Sequence, residues 1–227
     1  MRYLARAFFA AMWGGAALIT WTSRAYFFGD DLHDFILERL PVPHEAVWLA
    51  ALHVHVTTAL FSLPACLVLA SRGFLRRFPR AHRYLGRTTG LVILGGLLPS
   101  GAWLALTARG GWLSTLGFWL SGAIVGAATV AGVRYARARN FAAHRRCVLH
   151  VVAQMSVAVT SRALLFLLSQ ASTDGDAVYV LALWLPVAAS AGLAWLIGRE
   201  PRRNHEADPD RFALHAGLRR GRAAGAG

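Results

Sequence analysis

Six side chains stand out for the chemistry their types allow: His53, His55, His82, His144, His150 and Arg162. Imidazole carries protons near neutral pH, and in its neutral form it is a common axial ligand for haem or a metal ion. A guanidinium stays charged and presents a rigid fork of N–H donors that suits anions and carbonyl oxygens. Together these residues point to binding of a cofactor or an anion. They do not compose a hydrolytic centre. The chain has no Ser/His/Asp nucleophile set, no Gly-rich phosphate loop, no glutamate pair for two irons and no CxxCH haem-attachment motif. Cys66 and Cys147 match no zinc spacing and read as small apolar packing residues.

What must position them is a set of long uncharged runs. Of 227 residues, 56% are hydrophobic and only 15% charged, so the chain reads as membrane-embedded. A membrane helix needs ~20 apolar residues to cross ~30 Å of hydrocarbon. Six segments qualify, at about residues 7–23, 46–70, 88–107, 112–133, 147–169 and 177–197. The expected fold is therefore all-α, a single bundle of about six transmembrane helices, with a flexible cytoplasmic tail over 198–227. All 24 basic residues are arginine, and they collect between the spans rather than along one face, as positive-inside loops do. That arrangement argues against nucleic acid as the partner of a net charge of +13. Residues 71–87 and 134–146 hold arginines without an acid, whereas Asp30, Asp31, Asp34 and Glu38 lie in an opposite loop. Both termini are expected in the cytoplasm, with the chain in the inner membrane.

Depth makes Arg162 the most informative residue. It lies seven positions before the end of its span, roughly 10 Å along a helix rising ~1.5 Å per residue. Charge at that depth is costly. Either it faces the bundle interior, a polar cavity or a partner, or it snorkels to the outer surface. No span contains an acid, so carbonyls, hydroxyls such as Thr57, Thr58 and Thr160, a histidine or an anionic ligand must answer it. His53 and His55 enter their span from the same side at similar depth. Two residues apart on a helix, they point ~200° apart, so one faces inward and the other a neighbour or headgroups. At the other side His82, His144 and His150 are candidates to converge, or His82 and His144 face lipid phosphates.

Pro64, Pro99 and Pro186 fall inside spans and should kink them. Gly86 with Gly90, and Gly122 with Gly126, form GxxxG pairs suited to close packing. Trp48, Trp103, Trp112, Trp119, Trp184 and Trp195 lie mostly near span ends, where interfacial anchors sit. A weak repeat relates residues 77–83 to 139–145, which would make His82 and His144 equivalent positions.

The run Ala81-His82-Arg83-Tyr84-Leu85-Gly86-Arg87, which follows a histidine in the second span, resembles the His-Arg-x-x-Gly-Arg signature of domain of unknown function 2306. That is a set of uncharacterised bacterial membrane proteins. His144-Arg145-Arg146 and Thr160-Ser161-Arg162 are similar to its second block. The resemblance covers about residues 52–168. This chain departs from it at Cys147, Val148 and His150, and again at Leu63-Pro64-Ala65-Cys66. The resemblance implies a compact helical membrane unit and no established activity. On the residues alone, the leading expectation is a small redox or cofactor-binding membrane protein, with haem b or a quinone. The alternatives are a carrier for an anionic small molecule or lipid and a non-catalytic assembly subunit.

Overall fold

The computed structural model describes residues 2–28, 34–37, 39–171 and 174–198. Every regular element in them is helical. In chain order these are α1 (Arg2–Ser23), a 3-10 turn (Arg24–Tyr26), α2 (Asp34–Leu37), α3 (Glu45–Ala70), α4 (Arg72–Arg77) and α5 (Pro79–Val92). A π-helical turn (Ile93–Leu97) carries α5 into α6 (Leu98–Ala105), and α7 (Gly111–Arg137), α8 (Phe141–Ser169) and α9 (Gly175–Gly198) follow. The expected tail falls outside the described residues apart from Gly198. So do Asp30, Asp31 and Glu38 of the acidic loop.

Five helices are long and apolar enough to cross a membrane: α3, the continuous rod Pro79–Ala105, α7, α8 and α9. The expected first span is helical too, but it is not among the five. It still packs on α3 and α8, where a Cβ on Gly15 would collide with Val159.

Large apolar side chains cover much of the outside of the bundle, and small ones are enclosed alongside larger apolar residues such as Ile93, Leu67 and Leu183. Leu91, Phe166 and Leu193 are largely exposed, whereas Ser62, Ser114 and Ala182 are enclosed. Lipid tails solvate large apolar side chains as well as a core does, so close backbone packing falls to small residues. Gly86, Gly90 and Gly122 do face neighbouring helices of the same chain, at ordinary van der Waals separation, and Gly126 approaches Leu98 more closely. Tighter approaches occur at glycines outside those pairs. A Cβ on Gly96 would stand 2.7 Å from Thr58, and one on Gly117 would stand 2.8 Å from Leu183.

Helix ends follow local chemistry. Asn140 caps α8 by accepting from the Ala143 N–H at 3.1 Å, and Ser71 caps α4 by accepting from Phe74 at 3.3 Å. Gly110 starts α7 at φ +79°, where its missing side chain also avoids Ser114 and Val180. Three helices are tied together by Gln154 on α8. Its oxygen accepts from Ser121 of α7 at 2.8 Å, and its amide donates to Ser190 (3.0 Å) and to the Val187 carbonyl (3.3 Å) of α9. In a bilayer each such interhelical bond contributes about 0.6 kcal/mol, up to ~1.7.

Candidate functional site

At the end of the bundle opposite the arginine-rich loops, polar groups from five segments gather. Pro99 begins this arrangement. It has no N–H and its ring crowds the preceding turn, and the turn just before it has widened. The Leu98 N–H reaches five residues back to Ile93, the π pattern. Ser100 then donates back to the Gly96 carbonyl at 2.6 Å and, more weakly, to the Leu97 carbonyl at 3.2 Å, which also faces α3.

His55 of α3 fills that place. Its Nδ1 lies 3.3 Å from the Leu97 carbonyl and 3.4 Å from Ser100 Oγ. Gly101 makes the slot, since a Cβ there would stand 2.9 Å from His55 Cε1. A carbonyl only accepts, so Nδ1 carries the proton, and in the neutral ring Nε2 presents a lone pair. No described residue bonds Nε2.

His53 turns the other way, as its two-residue offset requires. Its Nδ1 lies 2.8 Å from the Leu49 carbonyl and its Nε2 3.1 Å from the Tyr26 carbonyl, with the Phe27 ring 5.3 Å away. Both nitrogens face main chain, so His53 anchors the segment after α1 against α3. Trp48, expected at an interface, is instead buried beside Leu52 and Ile36, and its indole donates to Thr107 Oγ1 at 2.9 Å. That bond, and Arg39 donating to the Thr107 carbonyl at 3.1 Å, close this end of the bundle.

Arg162 is exposed and does not turn into the packed interior. It does not snorkel either. Helix side chains lean toward their own N-terminus, and Nη1 donates at 2.7 Å to the Ala158 carbonyl, one turn away from the near end of α8. α8 packs on α3 and α9, the helices that carry His55 and Tyr179, and the Arg162 charge is felt at Tyr26. Burial pushes the Tyr26 phenol up, and Arg162 partly offsets that. The ion pair found among the described residues is Arg109–Asp176, 3.1 Å apart, and Arg162 has no carboxylate there.

At the arginine-rich end the two repeat-related histidines occupy matching places. Each is the fourth residue of its helix, His82 in α5 and His144 in α8, and each main-chain N–H closes the first turn, onto Phe78 and Asn140. His144 Nδ1 lies 2.9 Å from the Gly132 carbonyl of α7. His82 lies against Phe74, ring centroids 6.3 Å apart, and its Nδ1 is enclosed. His150 lies half-buried on α8. No group of three or more histidine, cysteine or acidic side chains able to hold a metal ion exists among the described residues.

Residues 52–198 match the family described as Predicted membrane protein (DUF2306), which is more than half of the chain. The chain belongs to this family. The matched stretch runs from α3 to the end of α9 and contains all six candidate residues, so this DUF2306 protein is a multi-pass membrane protein. No curated protein and no solved structure shows significant similarity to it.

Sequence reasoning passed over Gln154 and the π turn. A glutamine inside an otherwise mostly apolar span was a usable signal, because polar groups in lipid seek partners. The π turn had only Pro99 to announce it, and a proline does not say which way a helix will relieve its crowding.

Proposed function

We propose that this protein binds an anionic small molecule or lipid headgroup at Arg162, as the loading site of a carrier in the inner membrane. The supporting observation is the guanidinium itself: exposed at membrane depth, drawn inward along α8, and without a carboxylate among the described residues. A charge so placed is stabilised by an anion, and His55 Nε2 and the Tyr179 hydroxyl, on helices packed against α8, supply further polar groups. The experiment is a thermal-shift panel on detergent-purified protein with phosphate, short mono- and dicarboxylates, glycerol phosphate and a short-chain quinone. At least one anion should stabilise wild type and fail to stabilise Arg162→Ala. A panel in which both proteins respond alike overturns the reading, and a response confined to the quinone reassigns the site to redox chemistry.

The arginine distribution supports an orientation with residues 71–87 and 134–146 in the cytoplasm. A charged thiol reagent should therefore reach Phe78→Cys, in a background with Cys66 and Cys147 replaced, in inverted vesicles but not in intact cells.

A second reading, haem b at the arginine-rich end, has one observation in its favour. His144 Nδ1 is held by a carbonyl, the second contact that usually orients a ligating imidazole, and Nε2 remains for an iron. Haem bound there would supply one-electron chemistry. Purified protein would then show a Soret band that shifts on dithionite reduction and is lost in His144→Ala. A colourless preparation from haem-replete cells removes this reading.

A further inference from the structure

Ser and Thr hydroxyls in these helices mostly donate to a carbonyl one turn back, as Thr20, Thr58 and Thr160 do at 2.8, 2.7 and 3.0 Å. Thr89 and Thr129 do not. They are 3% and 8% exposed, and neither Oγ1 has a hydrogen-bond partner in the protein. The two lie on helices that pack together. Thr129 of α7 packs at the α5 crossing, with its Cγ2 3.8 Å from where a Cβ on Gly90 would lie, and Thr89 is the residue before Gly90. His82 stands seven residues before Thr89, two turns down the same face of α5, and its enclosed Nδ1 is likewise without a partner. Gly132, whose carbonyl holds His144, is one turn from Thr129 on α7.

On the far side an apolar layer separates these groups from Ser62 and from the Ser121–Gln154 pair. Ile93 lies one turn beyond Thr89 and Val125 one turn beyond Thr129, away from the arginine-rich end. Both belong to an apolar cluster with Cys66, Leu97 and Val151.

We propose that His82, Thr89 and Thr129 line a chamber of ordered water, entered from the arginine-rich end and closed by this apolar layer. Buried polar groups in native proteins are almost always satisfied, and where no protein partner exists a water with several polar neighbours supplies the bond. Two hydroxyls near the α5–α7 crossing and an imidazole nitrogen two turns away give a file of such waters the partners they need. The chamber carries water, and with it protons, from His82 and His144 into the bundle and no further. The inference does not depend on what Arg162 binds.

Water-edited solid-state NMR on the full chain in bilayers tests it. Magnetisation from water should build up at the Thr89 and Thr129 side chains clearly faster than at Ile93 and Val125. Equal, slow build-up at all four overturns the proposal. Valine substitution adds a test of opposite sign for the two cases. A dry, unsatisfied hydroxyl is a burden, so Thr89→Val would raise Tm, whereas loss of a water-bonded hydroxyl lowers it, by about 2–4 °C. Thr129→Val gives the same choice independently should Thr89→Val fail to fold. Lowered Tm supports the chamber and raised Tm overturns it.

Discussion

Leucine in place of Gly96 should deprive the protein of its folded bundle. Gly96 sits in the π turn facing α3, and even a methyl group there would stand 2.7 Å from Thr58 Cγ2. Thr58 has little room to yield, because its hydroxyl already donates to the Val54 and His55 carbonyls at 2.7 and 3.0 Å. Overpacking a well-filled contact costs about 1–3 kcal/mol. A full leucine also wedges α3 away from the rod it packs on, which removes the His55 contact to Leu97. A loss of ~3 kcal/mol or more is expected, seen as aggregated or absent protein on size-exclusion chromatography. The neighbouring Gly95 is exposed, and a methyl group there would meet nothing within 4 Å, so Gly95→Ala should leave the melting temperature unchanged or slightly raised. Two adjacent glycines with equal sensitivity would contradict the packing of α3 on the π turn.

The second large effect is on binding, with stability moving the opposite way. Removing a hydrogen bond to a charged group costs about 1.5–3 kcal/mol, so Arg162→Ala should weaken the anion by roughly 10- to 100-fold. Arg162→Lys keeps the charge but loses the planar fork, and intermediate affinity is expected. The same alanine variant should fold as well as wild type or better. A guanidinium near the middle of a membrane helix carries an insertion cost of about 2.5 kcal/mol or more, and alanine relieves it. Binding titrations and melting curves of the three proteins check both halves. A variant that loses binding only because it unfolds would assign Arg162 to the architecture instead.

Much of this was legible in the order of residues. Length and hydropathy alone mark five of the six expected spans, because hydrocarbon leaves the backbone few other ways to satisfy its hydrogen bonds. Helical geometry also separates His53 from His55, although only the fold shows that His55 is the one lodged against Pro99's turn. Trp48 shows where such reasoning ends. Its place near a span end suggested an interface, yet α2 and the segments around it cover that end and bury the ring. Arg162 was the sharper lesson. The cost of its charge was evident, but whether it would turn inward, snorkel or stand beside a polar cluster depended on α1, α3 and α9. Those elements are distant in sequence from it. Thr89 and Thr129 were unreadable for the same reason, since a threonine in a membrane span is ordinary until its usual carbonyl is found unused.

A π turn is one residue more than a regular helix would wind into the same length. Taking that residue out would let the chain wind as a regular helix through the same length, with Leu98 onward still in register with α5. What would go is the widened turn whose Leu97 carbonyl meets His55. A single-codon deletion there is thus expected to disarm the His55 contact while both halves of the rod, and the arginine-rich end, keep their places.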